Sequence, residues 1–238
     1  MQPADEQMSG GAKRLLCGND TNYLSKDDAF PYECKNCGEC CRFYHNIRLT
    51  PLDIYKLARH LSIDIKDFIN DYCKVNIESE ILPVVEFKTI GGNSFCPLYI
   101  NSRCSVHAAK PASCALYPLA RIIDISTGTP LYFAQPHECD ANAESQSVLD
   151  WLVQYNLIDD EAFLSEWHGF LTDTMAAIKR MGALTAICVG TATIHLHSLI
   201  LTLIYHQYND DGDFLLQFRD NCEALTDMLA VVSELSGI

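Results

Sequence analysis

Between Thr50 and Cys73 apolar residues recur every three to four positions, which is the spacing of a helix with one buried face. Thr50-Pro51-Leu52-Asp53 supplies a start signal: Thr50 as N-cap, Pro51 at the first helical position, and Asp53 beside the positive end. Leu52, Tyr55 and Leu61 then share a face. A second start is expected at Ser62, leading SIDIKDFINDYC, in which Ile65, Phe68, Ile69 and Tyr72 keep the helical period. From Ile81 the period shortens. VVEFKTI alternates like a strand, Gly91-Gly92-Asn93 offers turn chemistry, and SFCPLYI is expected to pair back as the second arm of a hairpin. Leu119 to Ile125 and Leu131 to Gln135, on either side of STGTP, predict another hairpin.

Beyond about Ala143 the pattern turns helical, and four helices are expected there. They are carried by SVLDWLVQYNL, by DDEAFLSEWHGFLTDTMAAIKRM ending at Gly182, by the run from Ala183 to Tyr205, and by DFLLQFRDNCEALTDMLAVVSELS. The run from 183 to 205 contains no Asp, Glu, Lys or Arg and is long enough to span a bilayer. His195, His197, Ser198 and four threonines make it a poor lipid-facing surface, so it is read as a buried central helix wrapped by its amphipathic neighbours. No fixed-period repeat is visible. The reading is an α+β fold in three parts: a flexible leader over 1–29, a cysteine-rich region of short hairpins and helices over 30–142, and a helical region over 143–238 packing on it.

Composition narrows the function. With 17 basic and 31 acidic side chains in 238 residues, the formal charge of −14 opposes phosphate backbones and anionic lipid, which excludes nucleic acid as a partner. The N-terminal stretch lacks the apolar run of a secretory signal, so a cytoplasmic location is expected. Cysteine is the anomaly. There are 12, and eight of them (Cys34, Cys37, Cys40, Cys41, Cys96, Cys104, Cys114 and Cys139) fall in the middle segment. Clustered thiols in a reducing compartment bind metal more often than they form disulfides.

The first cluster, CKNCGECC, reads C-x2-C-x2-C-C, and Gly38 lets its backbone curl so that three thiols can face one centre. Cys41, adjacent to Cys40, projects elsewhere. Eight thiols therefore suggest either two four-cysteine sites or one such site with a partially protein-ligated neighbour. The C-x2-C-x2-C run and the Cys96-Pro97 pair are closer to iron–sulfur ligation than to the paired C-x2-C knuckles of zinc ribbons. An iron–sulfur cluster is thus slightly favoured over Zn2+. Cys73, Cys188 and Cys222 lie on helical patterns and read as core residues, and Cys17 as incidental. His107 reads as a hydrogen-bonded or exposed loop histidine rather than a ligand, and His195, His197 and His206 as core or surface residues. Asp210-Asp211-Gly212-Asp213 reads as an acidic interhelical turn with a helix cap. Trp151 and Trp167 are expected in the core.

These residues resemble a known family, the YkgJ-like cysteine-cluster proteins with a CxxCxxCC zinc- or iron-chelating domain, whose relatives include flagellin lysine N-methylase. The resemblance is carried by FPYECKNCGECCRFYHNIRLTPLDIYKLA, CPLY, RCSVH, KPASCALYP and the later cysteine, while LIYHQYNDDGDFLLQF looks like the family's C-terminal tail. It implies chelating positions at Cys34, Cys37, Cys40, Cys41, Cys96, Cys104 and Cys114, with Cys139 as the later one. Lys110-Pro111 and Cys114-Ala115 stand where Arg-Pro and Cys-Arg are common, so binding of an anionic substrate through those arginines does not carry over.

Three functions follow as expectations. The first is a metal-binding protein with a structural, redox or carrier role. The second is a protein-modifying enzyme similar to the lysine methylase, which leaves enzymatic activity open. The third is a zinc-stapled module that docks a protein partner. A methylase of the usual kind needs a glycine-rich strand-to-helix loop, yet Gly10-Gly11 falls in the leader and Gly91-Gly92 in a hairpin turn.

Overall fold

A computed structural model describes residues 23–38, 40, 47–76, 82–90, 95–124, 127, 129–135, 144–184, 189–209 and 211–235. The architecture is α+β, with strands only in two-stranded antiparallel pairs among these residues. Most of the expected leader lies outside the described residues. Its last residues are packed, with Leu24 bridging to Tyr132 through an N–H···O bond of 2.7 Å.

Helix α1 (Pro51–Leu61) begins as its sequence requires. The Thr50 hydroxyl accepts the Asp53 N–H at 3.2 Å, and the Asp53 carboxylate accepts the Thr50 N–H at 2.9 Å, a reciprocal capping box. Ser62 does not open the next helix. It closes α1 in the left-handed conformation, φ 57°, and Asp64 caps α2 (Ile65–Tyr72) by accepting the Lys66 N–H.

Strand β2 (Cys73–Asn76) follows α2 without a break and pairs with β3 (Val84–Phe87). Among the described residues the expected hairpin between VVEFKTI and SFCPLYI is therefore reduced to one bridge, Ile90 to Phe95. The other edge of β3 is taken by residues 47–49, with Leu49 N–H donating to Val85 O at 2.8 Å and Phe87 N–H to Ile47 O at 3.1 Å. A strand paired on both edges has no free ladder for SFCPLYI. That segment instead makes its own tiny hairpin, β4 (Tyr99–Ile100) with β5 (Arg103–Cys104).

A short helix, α3 (Ala112–Leu116), leads into the hairpin of β6 (Leu119–Ile123) and β7 (Pro130–Ala134), as expected. Strand β8 (Ser145–Ser147) pairs with β1 (Ala29–Pro31) and continues into α4 (Val148–Gln154). Helix α5 (Asp160–Leu184) runs past Gly182, and then come α6 (Val189–Ile200), a π-helical segment (Leu201–His206) and α7 (Phe214–Leu235). The Asp213 side chain caps α7 by accepting the Leu216 N–H at 2.9 Å. Ile200, Leu203, Ile204 and Tyr205 are buried, and His197 with them, whereas His195 and Ser198 are exposed. Among the described residues no helix is long and apolar enough to cross a membrane.

The apolar residues gather in two cores. One joins α1, α2 and β3 to the C-terminal helices through Ile54, Leu57, Phe68, Val85, Ile204 and Phe218. The other is built around Trp151 and joins β1, α3 and the β6–β7 hairpin to α4.

Cys73 and Cys222 pack in or against the first core, as their helical spacing implies, and Cys188 lies outside the described residues. Burial pushes both thiols up, each to about 12. A thiol whose native value lies above its unfolded one keeps its proton while the unfolded chain loses it, so its contribution is intact below about pH 8.5 and is lost as pH rises through the native value. The urea midpoint is expected to fall between about pH 8 and about pH 10, and to fall less in Cys73→Ala. An equal slope in the variant would contradict this.

Candidate metal centre

The loop after β1 carries Cys34, Cys37 and Cys40. Its shape comes from two left-handed residues, Asn36 at φ 50° and Gly38 at φ 78°. Gly38 is required twice over. Its φ is strained for any side chain, and an added Cβ would stand 2.5 Å from a ring carbon of Tyr99 and 3.0 Å from Ser102 O. The loop thus lies directly on the β4–β5 hairpin, whose two-residue turn, Asn101-Ser102, is left-handed at both positions, as a type I′ turn demands. Cys104 sits on that hairpin. Cys96 sits just before it, in a turn closed by Tyr99 N–H donating to Cys96 O at 3.0 Å.

The fourth contributor is α3, which carries Cys114 and is pinned from two sides. At its start, Ala112 N–H donates to Asp53 Oδ1 at 2.7 Å. At its end, the carbonyls of Ala115 and Leu116 accept from Trp151 Nε1 at 3.1 and 3.3 Å.

Electrostatics groups some of the thiols. Burial pushes the Cys96 thiol up to about 11, the Leu98 N–H donated to its sulfur opposes this, and the thiols of Cys104 and Cys40 push it further up. Cys114 is raised well above the ordinary thiol range, first by burial and then by Cys96, Cys40, Cys104 and Asp53. Cys96 and Cys114 are therefore each within electrostatic reach of Cys40 and Cys104. Cys96 and Cys114 keep their protons near neutral pH, and a bound cation must displace them. Cys40 is exposed and the other three are half-buried, so the group is reachable from solvent.

Cys34 belongs to a different neighbourhood. Its Sγ lies 3.5 Å from Nε2 of His107, and it hydrogen-bonds with the Tyr155 hydroxyl, whose proton burial and this thiol both help retain. Burial and Lys110 hold His107 below the ordinary imidazole range, so it is neutral near neutral pH. His107 is thus a hydrogen-bonded histidine, as expected. Cys37 is exposed, while Cys41, Cys139 and Cys17 lie outside the described residues.

Among the described residues no three Cys, His, Asp or Glu side chains close to coordinating distance. Two features nevertheless fit a thiolate-bound centre. The thiols converge from four separate elements, and Asn36 Oδ1, inside the cysteine loop, is buried without a hydrogen-bond partner.

Two side chains had no signal in the sequence as parts of the site. Asp53 was legible as a cap but not as the anchor of α3, and Tyr155 not at all. Asp53 is 5% exposed, and burial, the largest effect on it, raises its carboxyl above the ordinary range despite three protein donors. Asp53→Asn keeps one acceptor but places an amide N–H₂ where the carboxylate accepts. It is expected to cost about 1–3 kcal/mol in urea unfolding and to weaken metal retention in chelator competition by about tenfold or more. Wild-type metal affinity in that variant would rule out the anchoring role.

The fold is α+β with clustered cysteines, and a family match supports a metal-binding role. Residues 33–144 match the family model CxxCxxCC, "Putative zinc- or iron-chelating domain". No curated protein and no solved structure gives a match.

Proposed function

We propose that Cys40, Cys96, Cys104 and Cys114 hold one four-thiolate metal centre, an iron–sulfur cluster in preference to Zn2+, in a cytoplasmic protein. The electrostatic reach of Cys96 and Cys114 to Cys40 and Cys104 carries the reading. Cys34 and Cys37, with Cys41 and Cys139, are left for a partially protein-ligated neighbour. The preference for iron–sulfur rests on the C-x2-C-x2-C run, on Cys96-Pro97, and on the Leu98 N–H donated to the Cys96 sulfur, because hydrogen bonds to sulfur tune such clusters.

A bound centre would supply positive charge for the thiolates and, if it holds iron, an electron-transfer site. The chain's part is to fix the ligands. A two-residue strand and a five-residue helix cannot hold geometry alone, so the centre also staples the elements that carry it. A methylase-like activity on a partner protein is the second reading. Among the described residues every sheet is two-stranded, so it would need a methyl-donor site other than a doubly wound sheet.

Differential alkylation tests the assignment. In the protein as purified, Cys40, Cys96, Cys104 and Cys114 should resist iodoacetamide together and become reactive together after chelation, with mass spectrometry reading each site. Equal reactivity of the four with and without chelator would contradict it.

A further inference from the structure

Cys34 and His107 reach each other from distant parts of the chain. Cys34 lies in the loop after β1, half-buried and accessible from solvent. His107 opens a single 3-10 turn, His107–Ala109, which is closed by Ala109 N–H donating to the carbonyl of the buried Val106 at 2.9 Å. Tyr155, at the end of α4, meets both. Its ring stands edge-on to the His107 ring with centroids 6.3 Å apart, and its hydroxyl hydrogen-bonds with the Cys34 sulfur. The ring of Trp151 packs on Tyr155, with centroids 4.7 Å apart, and fixes it in the second core.

The separation of 3.5 Å between Cys34 Sγ and His107 Nε2 suits two ligands of one ion. A tetrahedral site with metal–sulfur bonds of about 2.3 Å and metal–nitrogen bonds of about 2.0–2.1 Å puts the two donor atoms about 3.5 Å apart. Cys37 is exposed in the same loop, three residues after Cys34, which is the C-x2-C spacing of a zinc knuckle. Tyr155 then acts as the outer partner that holds a ligating sulfur in place. Lys110 is the positive charge beside His107, and two thiolates outweigh it.

We propose that Cys34, Cys37 and His107 bind a divalent ion of the zinc kind, separate from the four-thiol centre, with Tyr155 positioning the Cys34 sulfur. Binding releases the Cys34 and Cys37 protons to solvent and leaves the fourth position to water or to a further thiol. Resting on the reading that leaves Cys34 and Cys37 for a second centre, this assignment gives that centre a nitrogen ligand, and it holds whatever the four thiols carry.

Co2+, which takes nitrogen and sulfur ligands as Zn2+ does and absorbs in the visible, is titrated anaerobically into the full chain as purified and into His107→Gln. Glutamine keeps a hydrogen-bonding side chain and removes the imidazole. The wild type is expected to take up one more equivalent of Co2+ than the folded variant, or to bind that equivalent about tenfold or more tightly. Zn2+ should also shield Cys34 of the wild type from iodoacetamide, a readout that needs no variant should His107→Gln fail to fold. Failure of the four-thiol reading shows separately, as alkylation of Cys40, Cys96, Cys104 and Cys114 that chelation does not change, and leaves the difference between the two chains in place. Equal Co2+ uptake and affinity in wild type and folded His107→Gln, or Cys34 alkylated at the same rate with and without Zn2+, would overturn the assignment.

Discussion

Cys114→Ser is expected to release most of the bound metal and to lower the urea midpoint more than any other single thiol substitution. Cys114 is the thiol most deeply embedded among the other three, and its helix is held by side chains from both cores, Asp53 at one end and Trp151 at the other. A structural thiolate site can contribute on the order of 10 kcal/mol of apparent binding free energy, comparable with the whole stability of a domain. Serine removes one thiolate and leaves three ligands with a vacant corner. Cys222→Ser is the matched control, because that thiol packs against the first core away from the cluster, and it should retain full metal. Metal analysis and urea unfolding on the two variants decide the matter. Equal metal content in both would remove Cys114 from the centre.

The second large effect is expected at Trp151. The side chain is 1% exposed and is the largest fully buried one in the molecule. It packs on Phe30, Tyr32 and Tyr155, with ring centroids 5.8, 5.1 and 4.7 Å away. Trp151→Ala should cost about 3–5 kcal/mol in chemical unfolding, from lost burial and the cavity left behind. Trp151→Phe keeps most of the packing and removes only the hydrogen bonds to the end of α3, for a cost of about 1 kcal/mol. The phenylalanine variant separates packing from positioning: it should stay folded yet bind metal more weakly, because the anchor of Cys114 is loosened. A folded variant with unchanged metal affinity would leave Trp151 as core alone.

Local signals made part of this legible in the sequence. The Thr50 cap with Pro51 and Asp53, the hairpin around STGTP, and the C-terminal helices each rest on contacts between near neighbours in the chain. Thiol spacing marked the eight clustered cysteines as candidates, but it grouped Cys40 with Cys34 and Cys37 and did not show that Cys40 lies within electrostatic reach of Cys96 and Cys114. What escaped depends on distant partners. Strand β2 has no turn signal before it, since α2 passes straight into it, and β3 chose that strand and residues 47–49 over SFCPLYI. Strands β1 and β8 are three residues each and meet across more than a hundred positions, with no periodicity long enough to announce either. Tyr155 reaches Cys34 only because Trp151 and Leu157 bury the end of α4. The position of Ser62 shows the same limit on a smaller scale. A serine before an apolar run reads as a cap, but the left-handed close of α1 required that residue first.

A metal centre held by clustered thiolates, iron–sulfur in preference to zinc, is the function proposed for this chain. Metal and acid-labile sulfide content of anaerobically purified protein, taken with its visible spectrum, tests it most directly. Iron with matching sulfide and a visible absorption that disappears on chelation are expected. Stoichiometric zinc without sulfide would keep the centre and overturn the iron–sulfur preference, and protein carrying neither metal would contradict the claim.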